Sequence, residues 1–395
     1  MVDDVMSAAE AFEKGFAPLE AQARFQLDDL ISSLNKGRKG GPLAIDLRKD
    51  DPFEGQRFIS TGSTLLDYAI SNRADGGIPE GKVIDIAGFN SAGKSLMGAV
   101  ILANTQKAGG LAILIDTEFA ANFEFMDMLG VDRENNFLYL QPNNLEECFV
   151  SIEKIINLVI AKRAAGNDRP VTIVWDSVSA TKPAAQHDAD YDFNMNKNLM
   201  FAKQISGGMS KALQHFDKAN VTLVVTNHLK NKIGAAMGED EFYSPGGETI
   251  PYYASVRIRL HHSKRIKPKD GENALKRKGM VCRSEVIKTR FGPPFRQMKF
   301  PIYFAEGIGD IESWYPVLRE QGYISGTNPK RLHKKGASKG EGIPFQYSDS
   351  DHSGWMELIK TDPEAHALAL SFLNEHLVMK YIKRGGHTTE VPDVN

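Results

Sequence analysis

The sequence predicts an α/β protein in which helices flank a mainly parallel central sheet, with a small helical element before that core and a small α/β region after it. Two observations carry the prediction. Between about residues 56 and 312, short runs dense in Val, Ile and Leu alternate with longer amphipathic segments, as strands and crossover helices do in a parallel sheet. Runs such as LAILID and VTLVVT are also mostly apolar and β-branched, as strands covered on both faces are.

In chain order, residues 8–35 place Phe12, Phe16, Leu19, Phe25, Leu27, Leu30, Ile31 and Leu34 at helical spacing and predict a helical N-terminal element. The stretch NKGRKGG then breaks the pattern as a basic linker. Strands are predicted at KVIDIAG, LAILID, FLYLQ, VTIVWD, VTLVVT, ASVRIRL and MVCRSEVIKT, and helices at 94–108, 121–130, 145–165 and 197–219. The later strands follow one another too closely for crossover helices and are expected to be antiparallel. After residue 313 Gly, Lys, Ser and aromatic residues dominate until a helical pattern at 363–383. The expected divisions are 1–55, 56–312 and 313–395.

Composition removes several classes of function. With only Cys148 and Cys282 in 395 residues, neither a disulfide framework nor a thiolate metal site is credible. The start MVDDVMSAAEAFEKGF lacks a basic, then apolar, leader, and no apolar run approaches bilayer length, so a soluble, cytoplasmic protein with no membrane partner is expected. A net charge of -2 argues against a uniformly basic nucleic-acid binder, yet Arg257 to Lys299 holds fourteen Lys or Arg against three acids, and PKRLHKKGASKG at 329–340 is basic again. A solvated face and a polyanion-binding face both fit such runs.

The strongest motif is GFNSAGKS, comprising Gly88, Phe89, Asn90, Ser91, Ala92, Gly93, Lys94 and Ser95. It matches G-x-x-x-x-G-K-[ST] directly after a strand, where glycines let backbone N–H groups wrap phosphates and a helix N-terminus adds its positive end. In that reading ATP is bound, Lys94 neutralises the β- and γ-phosphates and Ser95 ligates Mg²⁺. Asp176 ends VTIVWD, a strand expected beside the phosphate-loop strand, where its carboxylate would meet the magnesium, usually through water. Capping SVSA is its alternative role. Glu118 ends another strand, LIDTE, where a carboxylate can orient and deprotonate the attacking water; Asp116 competes for that role, and a structural acid is the third possibility.

Beyond these residues a family resemblance begins. ISTGSTLLDYAI, GGIPEGKVIDIAG, the phosphate loop, LIDTEFAANFEFMDMLGVD, VTIVWDSVSATKP, GGETIPYYASVRIRL and VIKTRFGPPF stand in the order and spacing of RecA-type homologous recombinases. The chain resembles that family over about 56–312, and the His after VTLVVTN, with its divergent ends, resembles the phage UvsX-type branch. The resemblance implies a RecA-like P-loop ATPase core, DNA-dependent ATP hydrolysis, helical filaments on single-stranded DNA, and pairing and strand exchange with homologous duplex DNA. A single-strand-binding protein and a loader are the accessory partners it suggests, and the N-terminal element would serve oligomerisation by docking on an adjacent subunit.

Residue roles follow from the same resemblance. His228 would sense the γ-phosphate, and about Lys230–Gly246 would form a DNA loop. The composition is compatible: Lys230 and Lys232 can meet phosphates, Gly234, Gly238, Gly246 and Gly247 permit reordering, and Ile233, Met237, Phe242 or Tyr243, with Asn231 nearby, can pack against bases. Glu239, Asp240 and Glu241 oppose it. A first DNA loop would fall near Gln186–Asn198, where Asp188, Asp190 and Asp192 would repel phosphates and Tyr191, Phe193 and Met195 fit base contact and core packing equally. Phe125 would stack on adenine beside Asn122, although Phe125 also fits a helix core. Lys288 and Arg290, at i and i+2 of a strand, would share a face and reach a neighbouring subunit's ATP, as an arginine finger does. The C-terminal region would bind duplex DNA or a partner, or pack ordinarily. A hexameric RecA-fold helicase, a regulatory recombinase paralogue and a small-molecule kinase are the competing functions.

Overall fold

The computed structural model describes residues 27–37, 42–47, 49, 55–184, 196–213, 215–232, 241–245, 247–266, 278–338, 340–346 and 352–380. The chain divides into two units, Met1–Gln56 and Arg57–Asn395. In the first, residues 27–35 are helical, with Leu27, Leu30 and Leu34 exposed. Asn35 closes the helix by taking the Leu43 and Ala44 N–H groups on Oδ1 at 2.7 and 3.0 Å.

The second unit is built on a nine-stranded sheet. Its strands are β1 (Val83–Gly88), β2 (Leu111–Asp116), β3 (Phe137–Leu140), β4 (Val171–Asp176), β5 (Val221–His228), β6 (Val256–Ile266), β7 (Gly279–Thr289), β8 (Arg296–Tyr303) and β9 (Gly307–Ile308). The order is β9-β8-β7-β6-β1-β5-β4-β2-β3. From β3 to β6 every pairing is parallel, and from β6 to β9 every pairing is antiparallel, as the short connections required. All seven expected strands are present. The eighth, RQMKFPIY, carries charges and a proline and announces itself poorly.

Strand alternation assigns each apolar residue to one of two cores. Ile84, Ile86, Leu114, Val174 and Val224 face one cluster, with Met97, Ile101 and Leu102 of helix α2 (Lys94–Lys107). Val83, Ile113, Ile115, Ile173, Trp175, Leu223 and Val225 face the other, covered by α4 (Leu145–Ala164) and α5 (Asn196–Leu213). Burying one such side chain contributes about 1.5–3 kcal/mol, so each strand is held from both sides. The helix expected over 197–219 is α5 followed by a separate turn at Phe216–Ala219. Helix α3 (Phe123–Met128), between β2 and β3, is short and capped by Asn122.

A third cluster joins α1 (Thr64–Ser71) to the C-terminal residues, through Leu65, Tyr68, Trp314, Tyr315, Trp355 and Phe372. Asp310 anchors it by accepting the Thr64 N–H and hydroxyl at 2.7 and 2.6 Å. Helices α7 (Asp310–Glu320), α8 (Ser353–Thr361) and α9 (Pro363–Leu377) and a three-stranded sheet, 324–325, 330–332 and 343–345, complete this region. The helical pattern expected at 363–383 thus ends at Leu377. No helix among the described residues is long and apolar enough to cross a membrane.

Candidate functional site

The site lies at the C-terminal ends of β1, β2, β4 and β5, where ligands sit in open parallel sheets. β1 ends at Gly88, the chain turns through Phe89–Gly93, and α2 starts at Lys94. Gly93 has φ +98°, a backbone conformation that favours glycine, and a Cβ there would also press on the Ile302 Cδ1 methyl at 2.8 Å. Lys94 is buried and donates to the carbonyls of Gly88 and Phe89 at 3.1 and 2.9 Å. Burial lowers its pKa, with the charges of Asp176 and Glu118 opposing.

β4 does not adjoin β1 as expected: β5 lies between them. Asp176 still reaches the phosphate loop because α2 crosses over the sheet. Gly98 of α2 approaches so closely that a Cβ would meet Val174 at 3.0 Å, and Ser95 and Asp176 line one cavity with Asp116, Glu118, Asn122 and Phe125. Thr226 of the intervening strand donates to Asp176 Oδ1 at 2.5 Å, and the Asp176–Ser177 peptide is cis.

The two acids of LIDTE have separate jobs. Asp116 is buried and accepts the N–H groups of Glu118 and Ala121 at 3.0 Å each and the Tyr139 hydroxyl at 2.9 Å. Its oxygens hold the loop after β2. Glu118 lines the same cavity with different partners: its Oε1 takes the Ser177 hydroxyl at 2.5 Å and lies 3.1 Å from His228 Nε2. Burial raises its pKa, but the hydrogen bonds from Ser177 and His228 and the charges of His228 and Lys94 outweigh it and hold the carboxyl below its ordinary value. Asn122 spends Oδ1 on the Phe125 N–H at 3.0 Å.

The comparisons with known proteins bear on what this geometry is for. The RecA N-terminal domain family matches residues 32–309. Protein RecA of Bacteroides thetaiotaomicron is 36% identical over 314 residues, spanning 78% of this chain and 89% of that protein. The chain belongs to the RecA family. Protein RecA of a Wolbachia from Brugia malayi is 33% identical over 312 residues, 78% of this chain and 81% of its own. Its counterpart in Streptomyces venezuelae is 33% identical over 286 residues, 72% of this chain and 69% of its own.

Around this RecA-family core the remaining expected residues divide. His228 ends β5, and its N–H donates to Ser179 Oγ at 3.2 Å. Beyond it, Lys230–Asn231 pairs antiparallel with Phe242–Tyr243, and Lys232 N–H donates to Glu241 O at 2.7 Å. The loop is therefore rooted on a two-residue ribbon. Ile233, Met237 and Gly246, like Gln186–Met195, lie outside the described residues, while Gly247 is described with φ +74°. Phe242 is turned toward Phe89, with centroids 5.3 Å apart. Lys288 lies on β7, but Arg290 lies beyond the strand end at Thr289, so strict alternation does not place the pair. Lys288 donates to the Pro251 and Tyr252 carbonyls at 2.9 and 3.0 Å, at the end of α6 (Thr249–Tyr253). Burial lowers its pKa, aided by the charges of Arg290 and Arg257.

Reading the sequence missed three residues in and beneath the RecA-family site. Ser177 directly follows the strand-ending Asp176 and Ser179 comes two residues later, the only local signal they carry. Asp85 reads as part of an apolar strand, yet it is fully buried between Asn227 Nδ2 at 2.9 Å and Arg257 Nε at 3.0 Å.

Proposed function

We propose that this RecA-family chain is an ATP-dependent recombinase that assembles on single-stranded DNA, hydrolyses ATP and promotes pairing and strand exchange with homologous duplex DNA. The observation that carries the reading is the 3.1 Å contact between Glu118 and His228, which joins the carboxylate best placed to activate water to the root of the loop best suited to meet DNA.

The N–H groups of Gly88–Ser95 and the start of α2 would cradle the triphosphate, with Lys94 neutralising it. Ser95 and Asp176, one hydroxyl and one carboxylate, suit Mg²⁺, which completes its shell with water and phosphate oxygens. Among the described residues no three His, Cys, Asp or Glu gather as a metal cluster. The bound cation supplies charge neutralisation at those oxygens. Phe125 would face the base, Glu118 would take the proton of the attacking water, and His228 would register the γ-phosphate. Lys230, Asn231, Lys232 and Tyr243 would meet the polynucleotide, and Lys288 and Arg290 would complete the ATP site of an adjacent protomer. A single-strand-binding protein and a loader are the accessory partners to seek.

ATP hydrolysis with and without single-stranded DNA tests the reading, with Lys94→Ala excluding contaminants. Strong stimulation, lost in Lys94→Ala, supports it. Robust hydrolysis indifferent to DNA overturns it. Electron microscopy with DNA distinguishes helical filaments from the closed rings of a helicase.

A further inference from the structure

Both described ends of the 230–246 loop close on the phosphate-binding turn. At the outgoing end, Leu229 N–H donates to Gly88 O at 3.1 Å, the carbonyl that also takes Lys94 Nζ. At the returning end, Phe242 meets Phe89 edge-to-face, with centroids 5.3 Å apart and planes at 85°. The Arg259 guanidinium sits 5.2 Å over the Phe242 ring, and His261 lies 6.0 Å from it. These contacts pin Phe242 from the β6 side, so its position is set by the sheet and by the loop it ends. Phe89, in turn, holds Lys94 Nζ on its own carbonyl at 2.9 Å.

The neighbouring aromatic is placed differently. Successive residues of a strand point to opposite faces, and Tyr243 is exposed where Phe242 is half-buried. A ring that stacks on a base must be accessible, which suits Tyr243.

We propose that Phe242 is a positioning residue that couples the DNA loop to the phosphate-binding turn through Phe89. Rearrangement of the loop on a polynucleotide moves Phe242, and with it Phe89 and the lysine cradle. This is a second route from loop to nucleotide, beside the His228–Glu118 contact. It rests on the reading of the ATP and DNA sites given above.

The test measures ATP turnover of the full chain with and without an oligothymidylate, over a range of ATP concentrations, together with oligothymidylate affinity by fluorescence anisotropy. Phe242→Ala is expected to cut the ratio of stimulated to unstimulated turnover about tenfold, within the usual range of allosteric coupling, while oligothymidylate affinity is kept. Phe242→Tyr, which retains the ring edge, is expected to restore the ratio, and Tyr243→Ala to weaken oligothymidylate binding instead. Phe89→Ala combined with Phe242→Ala should lower the ratio no further than either change alone, because both remove one contact. Where the alanine variant loses its cooperative melt, Phe242→Leu keeps much of the apolar bulk, removes the ring edge and is expected to show the same loss. Additive losses, an unchanged ratio, or weakened oligothymidylate binding with the ratio intact at saturation would each overturn the coupling. Absence of stimulation in the unsubstituted chain would instead overturn the functional reading on which it rests.

Discussion

Replacing Glu118 by Gln, and Asp116 by Asn in parallel, separates the two acids that compete for the base. In Glu118→Gln the amide oxygen can still accept from Ser177, now at 2.5 Å from Oε1, so the side chain keeps its place and loses only its charge and proton affinity. General-base catalysis contributes about 10²–10⁴-fold, or about 3–5 kcal/mol of barrier. DNA-stimulated kcat should fall by that factor with little change in thermal midpoint. Asp116→Asn should behave oppositely. Whichever way the amide turns, its NH₂ faces donors that now reach either Oδ1 (Glu118 N–H) or Oδ2 (Ala121 N–H and the Tyr139 hydroxyl). Each buried group left without its partner costs about 1–3 kcal/mol, so stability should drop measurably in urea, and turnover should suffer only indirectly. Steady-state hydrolysis over a range of ATP concentrations, paired with urea melts, reads both. A folded Asp116→Asn with abolished kcat beside an active Glu118→Gln would refute the assignment of roles.

Asp85→Ala leaves the Arg257 guanidinium and the Asn227 amide without their buried acceptor; a loss of about 3–5 kcal/mol is expected, read by urea denaturation, and a loss below 1 kcal/mol would show the pair to be dispensable. Lys288→Ala and Lys94→Ala should each be inactive alone, yet an equimolar mixture should regain DNA-dependent turnover, since some interfaces then pair an intact loop with an intact Lys288; no recovery would count against action in trans. Burial pushes the Asp67 carboxyl up to about 7. The folded state therefore binds a proton that the unfolded state releases near the ordinary value of 3.8, and stability should decline as pH rises across that window by about 1.4 kcal/mol per unit. Urea midpoints against pH should show a shallower decline in Asp67→Asn than in the unsubstituted chain, and equal slopes would remove Asp67 as the cause.

What the sequence determined by itself was local. Seven strands, the helices that alternate with them and the GFNSAGKS turn are written in neighbouring residues, because apolar periodicity and glycine placement act over a few positions. The strand, turn and helix around GFNSAGKS were legible for that reason. Tertiary structure decided what depends on pairing between distant segments. Four equally apolar parallel strands can be ordered in several ways, and only packing against α2 and the two cores put β5 between β1 and β4. The separation of Asp116 from Glu118 depends on where Tyr139 and Ser177 arrive from other strands. The same holds for Phe242, whose neighbours Phe89, Arg259 and His261 come from distant segments. A side chain's type states what it can do, and the partners brought to it by the sheet select which of those things it does.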